Sequence, residues 1–231
     1  MNESVHDKII LKAIFIVGGG ASGKSTIAKT MFSGEPVNII DSDKMVEYKF
    51  KKQGVSLDFD KSKEDQYKKQ QDIRWEAKLS TDKQIDHVLN GLLPIVIDGT
   101  GKRFDRVKAQ KTELESLGYD CYLLFVNTPL ETAIERNHKR ERKVPEDVLT
   151  AHWHAVQANL DKFAGEFGQD RFFIVSDTTS KNDLFRLSKK ILNSPLQNHV
   201  GRKVKEELKK SGGSYLSDLK IKPRLTLTSK E

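Results

Sequence analysis

The stretch that decides the fold reads Ala13-Ile-Phe-Ile-Val17-Gly18-Gly19-Gly20-Ala21-Ser22-Gly23-Lys24-Ser25-Thr26-Ile-Ala-Lys-Thr-Met31. Ala13 to Val17 is a short, continuous apolar run, the pattern of a parallel strand buried on both faces. Thr26 to Met31 opens a helix. Between them, Gly18-x4-Gly23-Lys24-Ser25 fits the phosphate-binding pattern G-x-x-x-x-G-K-[ST] without exception. Its glycines let the backbone turn tightly and point several N–H groups at one phosphate. The helix N-terminus that follows adds a favourable dipole. The pattern therefore makes Gly18 to Thr26 an ATP-binding segment. Lys24 reaches the β- and γ-phosphates, and the Ser25 hydroxyl takes Mg²⁺.

Outward from this motif, short apolar runs alternate with helical patterns, which predicts a parallel sheet with crossover helices. Strands are expected at 13–17, 37–40, 95–97, 122–126 and 172–175. Helices are expected at 24–31, 105–117, 129–137, 145–163 and 181–192. The fold class is α/β: a three-layer P-loop NTPase with a roughly five-stranded parallel sheet, a helical insert and an Arg-rich lid. The insert spans about 47–93, where Ile73, Ala77, Ile85, Val88, Leu89 and Leu92 supply an apolar stripe. Tyr48, Tyr67 and Trp75 in it suit either packing or stacking on a base.

Two acidic positions follow strands. Asp41 and Asp43 come after Val37–Ile40, at the carboxyl edge where α/β sheets bind ligands. A carboxylate there accepts a proton from an attacking hydroxyl or helps hold Mg²⁺; the alternative is a helix N-cap from Ser42 or Asp43. Asp41 is the metal candidate and Asp43 the general-base candidate. Asp98 ends the third strand and opens Asp98-Gly-Thr100-Gly-Lys102. Asp98 suits a Mg²⁺-linked water or a substrate hydroxyl, and Asp98, Thr100 and Lys102 are candidates for acceptor binding; the alternative is a glycine-rich turn with Asp98 or Thr100 as N-cap. Further on, Arg136-Asn-His-Lys-Arg140-Glu-Arg142-Lys143 holds five basic residues and one acid. Arg136, Arg140 and Arg142 would close over the γ-phosphate as a lid, at about 136–145, and stabilise the charge of phosphoryl transfer; a solvated basic face is the alternative. Trp153, between His152 and His154, reads as a core residue.

Composition narrows the setting. Hydrophobic residues make up 36% of the 231-residue chain and charged residues 32%. The single cysteine, Cys121, lies in an apolar run and excludes a disulfide framework. No stretch has the roughly 20 apolar residues of a membrane span, and Met1 to Lys12 is no secretory signal, so no membrane partner and a cytoplasmic location are expected. From Ser194 onward nine Lys or Arg face four acids, which puts +5 of the net +7 in that segment. The division expected is a domain at 1–193 and a basic extension at 194–231. The extension is a candidate contact for a polyanion or for a protein partner.

With these motifs in hand, residues 10–192 resemble the P-loop kinases that include zeta toxins and polynucleotide 5′-hydroxyl kinases. Ile39-Ile-Asp-Ser-Asp43 is similar to the motif whose second Asp is that family's general base, which implies this role for Asp43. Asp98-Gly-Thr-Gly-Lys102 is similar to the zeta-toxin Glu-Gly-Thr-Gly-Arg segment that contacts the sugar substrate. Arg136-Asn-x-Lys-Arg140 with Val144-Pro145-x-Asp-Val-Leu149 resembles the lid and following helix of the polynucleotide kinases, although Val46 stands where those carry a substrate-binding Arg. The resemblance implies an ATP- and Mg²⁺-dependent kinase with a nucleic-acid or nucleotide acceptor. A nucleotide-sugar kinase and a nucleotide-binding adaptor with the same fold are the alternatives.

Overall fold

Strand β1 (Lys12–Gly18) is buried along its whole length, as its apolar run requires. The protein is described by a computed structural model that covers residues 9–56, 64–140 and 143–210. Around β1 lie β2 (Asn38–Asp41), β3 (Ile95–Gly99), β4 (Asp120–Val126) and β5 (Phe172–Val175), in the order β2-β3-β1-β4-β5. Every pairing is parallel. The register puts Asp41 opposite Asp98, and Ile16 opposite the same Asp98. All five strands thus deliver their carboxyl ends to one edge, with β1 and β3 at its centre.

Alternation along β1 sorts the core into two layers. Ala13, Phe15 and Val17 face one cluster, Ile14 and Ile16 the other. The second cluster is closed by α1 (Lys24–Met31) and α8 (Lys181–Leu192) through Ile27, Ala28, Leu184 and Ile191. The first is covered by α3 (Glu64–Asn90), α4 (Phe104–Ser116), α6 (Glu146–Gln157), α7 (Leu160–Phe167) and α9 (His199–Lys210). The expected three-layer α/β/α arrangement is therefore present. Remaining are α2 (Ser42–Lys52), packed with α3, and α5 (Leu130–His138). All six residues of the stripe expected in the insert are buried. Trp75 and Tyr48 are exposed. Cys121 is a buried free thiol, its pKa raised by that burial.

Two boundaries differ from expectation. The single helix expected over 145–163 is two, because the chain turns at Ala158 and Asn159. There the buried Asn159 side chain donates to the carbonyls of Gly101 and Lys102 (3.1 and 3.0 Å). Nor does the packing stop at Ser194. Val204 is buried in the first cluster, and Gly201 lies so close to Gly118 that no Cβ fits between them. Asp120, fully buried, accepts from the backbone N–H groups of Gln197 and Asn198 (2.9 Å each) and from Lys12 Nζ (3.0 Å). The segment up to Lys210 is thus bonded to the amino-terminal side of the sheet. Residues 211–231 lie outside the described residues.

Candidate active site

The loop between β1 and α1 is shaped by two left-handed residues, Ala21 (φ 56°) and Gly23 (φ 88°). Gly23 caps α1 without a side-chain hydrogen bond, which leaves the first N–H groups of that helix for a ligand. The loop is braced from outside: Thr128 Oγ1 donates to Ser22 O (2.9 Å) and Gly18 N–H to Thr100 O (3.3 Å). Lys24 Nζ folds back onto the carbonyls of Gly18 (3.0 Å) and Gly19 (2.8 Å). Burial lowers its pKa, while Asp98 and Asp43 act in the opposite direction.

Ser25 Oγ lies 2.8 Å from Asp98 Oδ2 and 3.2 Å from Asp41 Oδ2. Strand register brings this about, because Asp41 and Asp98 are paired residues on β2 and β3. Asp98 is held above the ordinary carboxylate pKa chiefly by burial, against the pull of Lys24 and with Asp41 adding to the rise. Asp41 also caps α2, accepting from Lys44 N–H (3.0 Å), and pairs with Lys44 Nζ (2.8 Å). The capping residue is therefore Asp41, not Ser42 or Asp43. One hydroxyl and two carboxylates make a hard, all-oxygen donor set. That set fits Mg²⁺, which takes one or two protein carboxylates and fills its other positions with water and phosphate.

On the far side of Asp98 opens a cavity of about 280 Å³. Asp98 from the end of β3 and Asp43 from the first turn of α2 line it, with the apolar Ile40, Ile97 and Val107. The turn Gly99 to Lys102 forms a wall, and the first two turns of α4 supply Arg103, Arg106 and Gln110. Gly101 is left-handed (φ 71°), and a Cβ on it would stand 2.7 Å from Val17, so the turn needs glycine to lie against β1. Lys102 Nζ reaches His152 Nε2 (3.4 Å), whose pKa is lowered by burial and then by Lys102.

Arg136 projects from α5 beside the loop: its Nη1 would lie 3.6 Å from a Cβ on Gly23. Its Nη2 pairs with Asp177 in the turn after β5. The charge of Arg140 is felt at Lys24. Arg142 lies outside the described residues. Asn137 clasps Val144 through both its amide atoms (2.7 and 3.0 Å) and so holds the far end of the basic segment. Trp153 departs from expectation. It belongs to neither core cluster but lies across Gly19, with Nε1 donating to Thr128 O (2.8 Å). Sequence reasoning missed Arg103, Arg106 and Gln110. The signal was their spacing, three and four residues apart on one helix face directly after the glycine-rich turn.

Residues 14–163 match the sequence profile of the AAA domain family. The chain belongs to that family. No curated protein matches it. Among solved structures, a putative kinase from Chloroflexus aurantiacus is similar, with TM-score 0.53 and 14% identity over 78% of this chain and 98% of that one. A chain of the PezAT chromosomal toxin-antitoxin system of Streptococcus pneumoniae is similar with TM-score 0.50 and 18% identity, over 90% of this chain and 86% of that one. A gluconokinase from Sinorhizobium meliloti aligns at TM-score 0.45 and 15% identity, over 87% and 98%. The first two share their fold with this AAA domain chain, and that fold is the P-loop kinase-like α/β/α sandwich. No helix among the described residues is long and apolar enough to cross a membrane.

Proposed function

We propose that the protein is an ATP-dependent kinase that transfers the γ-phosphate to a hydroxyl of a nucleotide or nucleic acid. The observation that carries this reading is the placement of Asp98: one carboxylate touches the Ser25 hydroxyl on its loop side and lines the cavity on the other. A phosphate on the loop and an acceptor in the cavity would thus meet at Asp98 and Asp43. The Ser22 hydroxyl, buried and without a hydrogen-bond partner, is a donor that a phosphate oxygen would satisfy.

In this mechanism the triphosphate lies along Gly18 to Thr26. Lys24 exchanges the Gly18 and Gly19 carbonyls for the β- and γ-phosphates. Mg²⁺ bound by Ser25, Asp41 and Asp98 would supply charge neutralisation between the phosphates. The acceptor hydroxyl oxygen bonds to the γ-phosphorus as the bond from that phosphorus to the leaving ADP oxygen breaks. Asp43 takes the hydroxyl proton and returns it to solvent. Arg136 and Arg140, and Arg142 with them, act as the lid that spreads the developing negative charge.

The turn Gly99-Thr100-Gly101, which lines the cavity, favours one second reading: a nucleotide sugar as acceptor. A single experiment separates these readings. Protein is incubated with γ-labelled ATP and Mg²⁺ in parallel with 5′-hydroxyl DNA and RNA, mononucleotides and UDP-sugars, with Asp43→Asn as control. Label on oligonucleotides or mononucleotides supports the first reading, and label confined to UDP-sugars supports the second. No labelled acceptor, from protein that binds a fluorescent ATP analogue, refutes both and favours a nucleotide-binding adaptor.

A further inference from the structure

The cavity beside Asp43 carries both signs of charge, and its cations have no role in the chemistry just described. Its two acids lie at the carboxyl edge of the sheet, Asp98 on β3 and Asp43 in the first turn of α2. Its cations, Lys102, Arg103 and Arg106, come from the stretch where α4 begins. Arg103 is the N-cap of this 13-residue helix and makes no side-chain capping bond to it. Asp105, the one acid in that turn, does not line the cavity.

A second, independent feature points to a ligand. Gln110 lines the cavity one turn beyond Arg106, is only 8% exposed, and its amide bonds to no described residue. An amide that lines a cavity without a protein partner offers its N–H groups to whatever occupies that cavity. Arg103, Arg106 and Gln110, three and four residues apart along α4, bring two guanidinium groups and an amide to the lining of one cavity beside the apolar Ile97 and Val107, donor types suited to an oxyanion in surroundings that strengthen charged hydrogen bonds.

We propose that Arg103, Arg106 and Gln110, with Lys102, form an anion subsite for the acceptor, so that the molecule presenting its hydroxyl to Asp43 also carries a phosphate or carboxylate against α4. This inference rests on the kinase reading for the position of the hydroxyl, but not for the anion site itself. The cavity's size, at the low end of ligand pockets (~300 Å³ and above), fits a small phosphorylated or carboxylated alcohol or the terminal unit of a chain. The two charges of the cavity then read different groups: acids take the hydroxyl, cations take the anion.

The test uses the whole chain with its loop filled by Mg²⁺ and the β,γ-imido analogue of ATP, so that an added anion cannot occupy the γ-phosphate position. Inorganic phosphate and, separately, malonate are titrated into this complex by calorimetry. Saturable binding of at least one is expected, weakened about tenfold or more in Arg106→Gln and in Gln110→Leu, as loss of a charge-assisted hydrogen bond requires. Affinity for a fluorescent form of the same analogue stays unchanged in both variants, which shows that each remains folded around its nucleotide loop. Preference for phosphate identifies a phosphorylated acceptor, and preference for malonate identifies a hydroxy acid. The proposal is overturned if neither anion binds, or if binding ignores both substitutions. If the nucleotide analogue itself fails to bind, the kinase reading falls. Phosphate binding to the unloaded protein that still depends on Arg106 and Gln110 would then keep the subsite.

Discussion

Replacing Asp120 by Ala should be among the most damaging single changes in this protein, although Asp120 lies at the opposite end of the sheet from the ligand edge. Its carboxylate is 0% exposed, and Lys12, 3.0 Å away, is 1% exposed. Arg171 Nη2 approaches at 3.3 Å, and the N–H groups of Gln197 and Asn198 at 2.9 Å. Removing one partner of a buried ion pair costs about 3–5 kcal/mol, because the other is left charged and unpaired. Two backbone N–H groups lose their acceptor as well. Lys12 keeps one bond, to Ser194 Oγ at 3.0 Å, which limits the total. We expect a loss of about 4 kcal/mol at neutral pH. This is a large share of the ~5–15 kcal/mol that holds a domain folded.

The assay is urea unfolding of the full chain, with amide exchange over residues 196–208 as a local readout. Asp120→Asn should cost less, because one oxygen remains to accept. Lys12→Met should cost least, about 1–2 kcal/mol, because Arg171 and two N–H groups still satisfy Asp120. A chain ending after Asn193 should lose several kcal/mol relative to one ending after Lys210, because it lacks the two backbone N–H donors to Asp120 and buried Val204. If Asp120→Ala lies within about 1 kcal/mol of wild type, below the least expected for a broken buried pair, or if Lys12→Met proves worse than Asp120→Ala, the reasoning is wrong.

Three further outcomes follow from the ligand edge. Asp43→Asn should slow phosphoryl transfer about 10²–10⁴-fold, the usual worth of a general base, with affinity for a fluorescent ATP analogue unaltered; a matched loss of affinity would reassign the residue. Burial holds the Asp98 pKa above its ordinary 3.8, so this group favours the fold below 3.8 and that contribution is lost as pH rises through its folded value. Asp98→Asn escapes that loss. Its urea midpoint should gain on wild type from pH 4 upward while Mg²⁺-dependent nucleotide binding falls, and a variant that loses ground across this range would contradict the assignment. A Cβ at Gly20 would stand 2.6 Å from Leu149 Cδ1, so Gly20→Ala should cost about 1–3 kcal/mol by overpacking. Leu149→Ala in the same chain should recover part of it in thermal unfolding.

The strands were legible because each is an unbroken apolar run followed by a turn, and the loop because its residue spacing has one structural meaning. What escaped was decided by contacts distant in sequence. Nothing around Asn159 announces a helix break; its amide is claimed by carbonyls nearly sixty residues away. The segment after Ser194 looked detached because it is basic, yet Gly201, Val204 and Leu208 form a spaced face that packs on the core. Its anchor, Asp120, stands at the head of an apolar strand, where an acid reads as a boundary. Asp41 and Asp98 were found as strand-end acids, but their joint hold on Ser25 needed the register of β2 against β3. The α4 cations were passed over because Lys102 to Arg106 reads as the tail of a turn, although their helical spacing was there to see.

One helix joins what sequence reasoning treated as separate motifs. Leu149 and Trp153 on α6 lie against Gly20 and Gly19 of the phosphate loop. Trp153 bonds Thr128, and Thr128 bonds Ser22, so the loop is held on two sides by one chain of contacts. On the same helix His152 meets Lys102, and at the turn beyond it Asn159 holds the carbonyls of Gly101 and Lys102. Upstream, the Asn137–Val144 clasp ties the arginine-bearing α5 to the start of α6. A displacement of α6 therefore reaches the phosphate loop, the cavity turn and the arginines together. On the proposed reading the glycines at 19 and 20 serve two demands at once, close approach of a phosphate and close approach of a helix. Loss of nucleotide binding after substitution there is consequently not evidence about phosphate contact unless it survives when Leu149 is trimmed to make room.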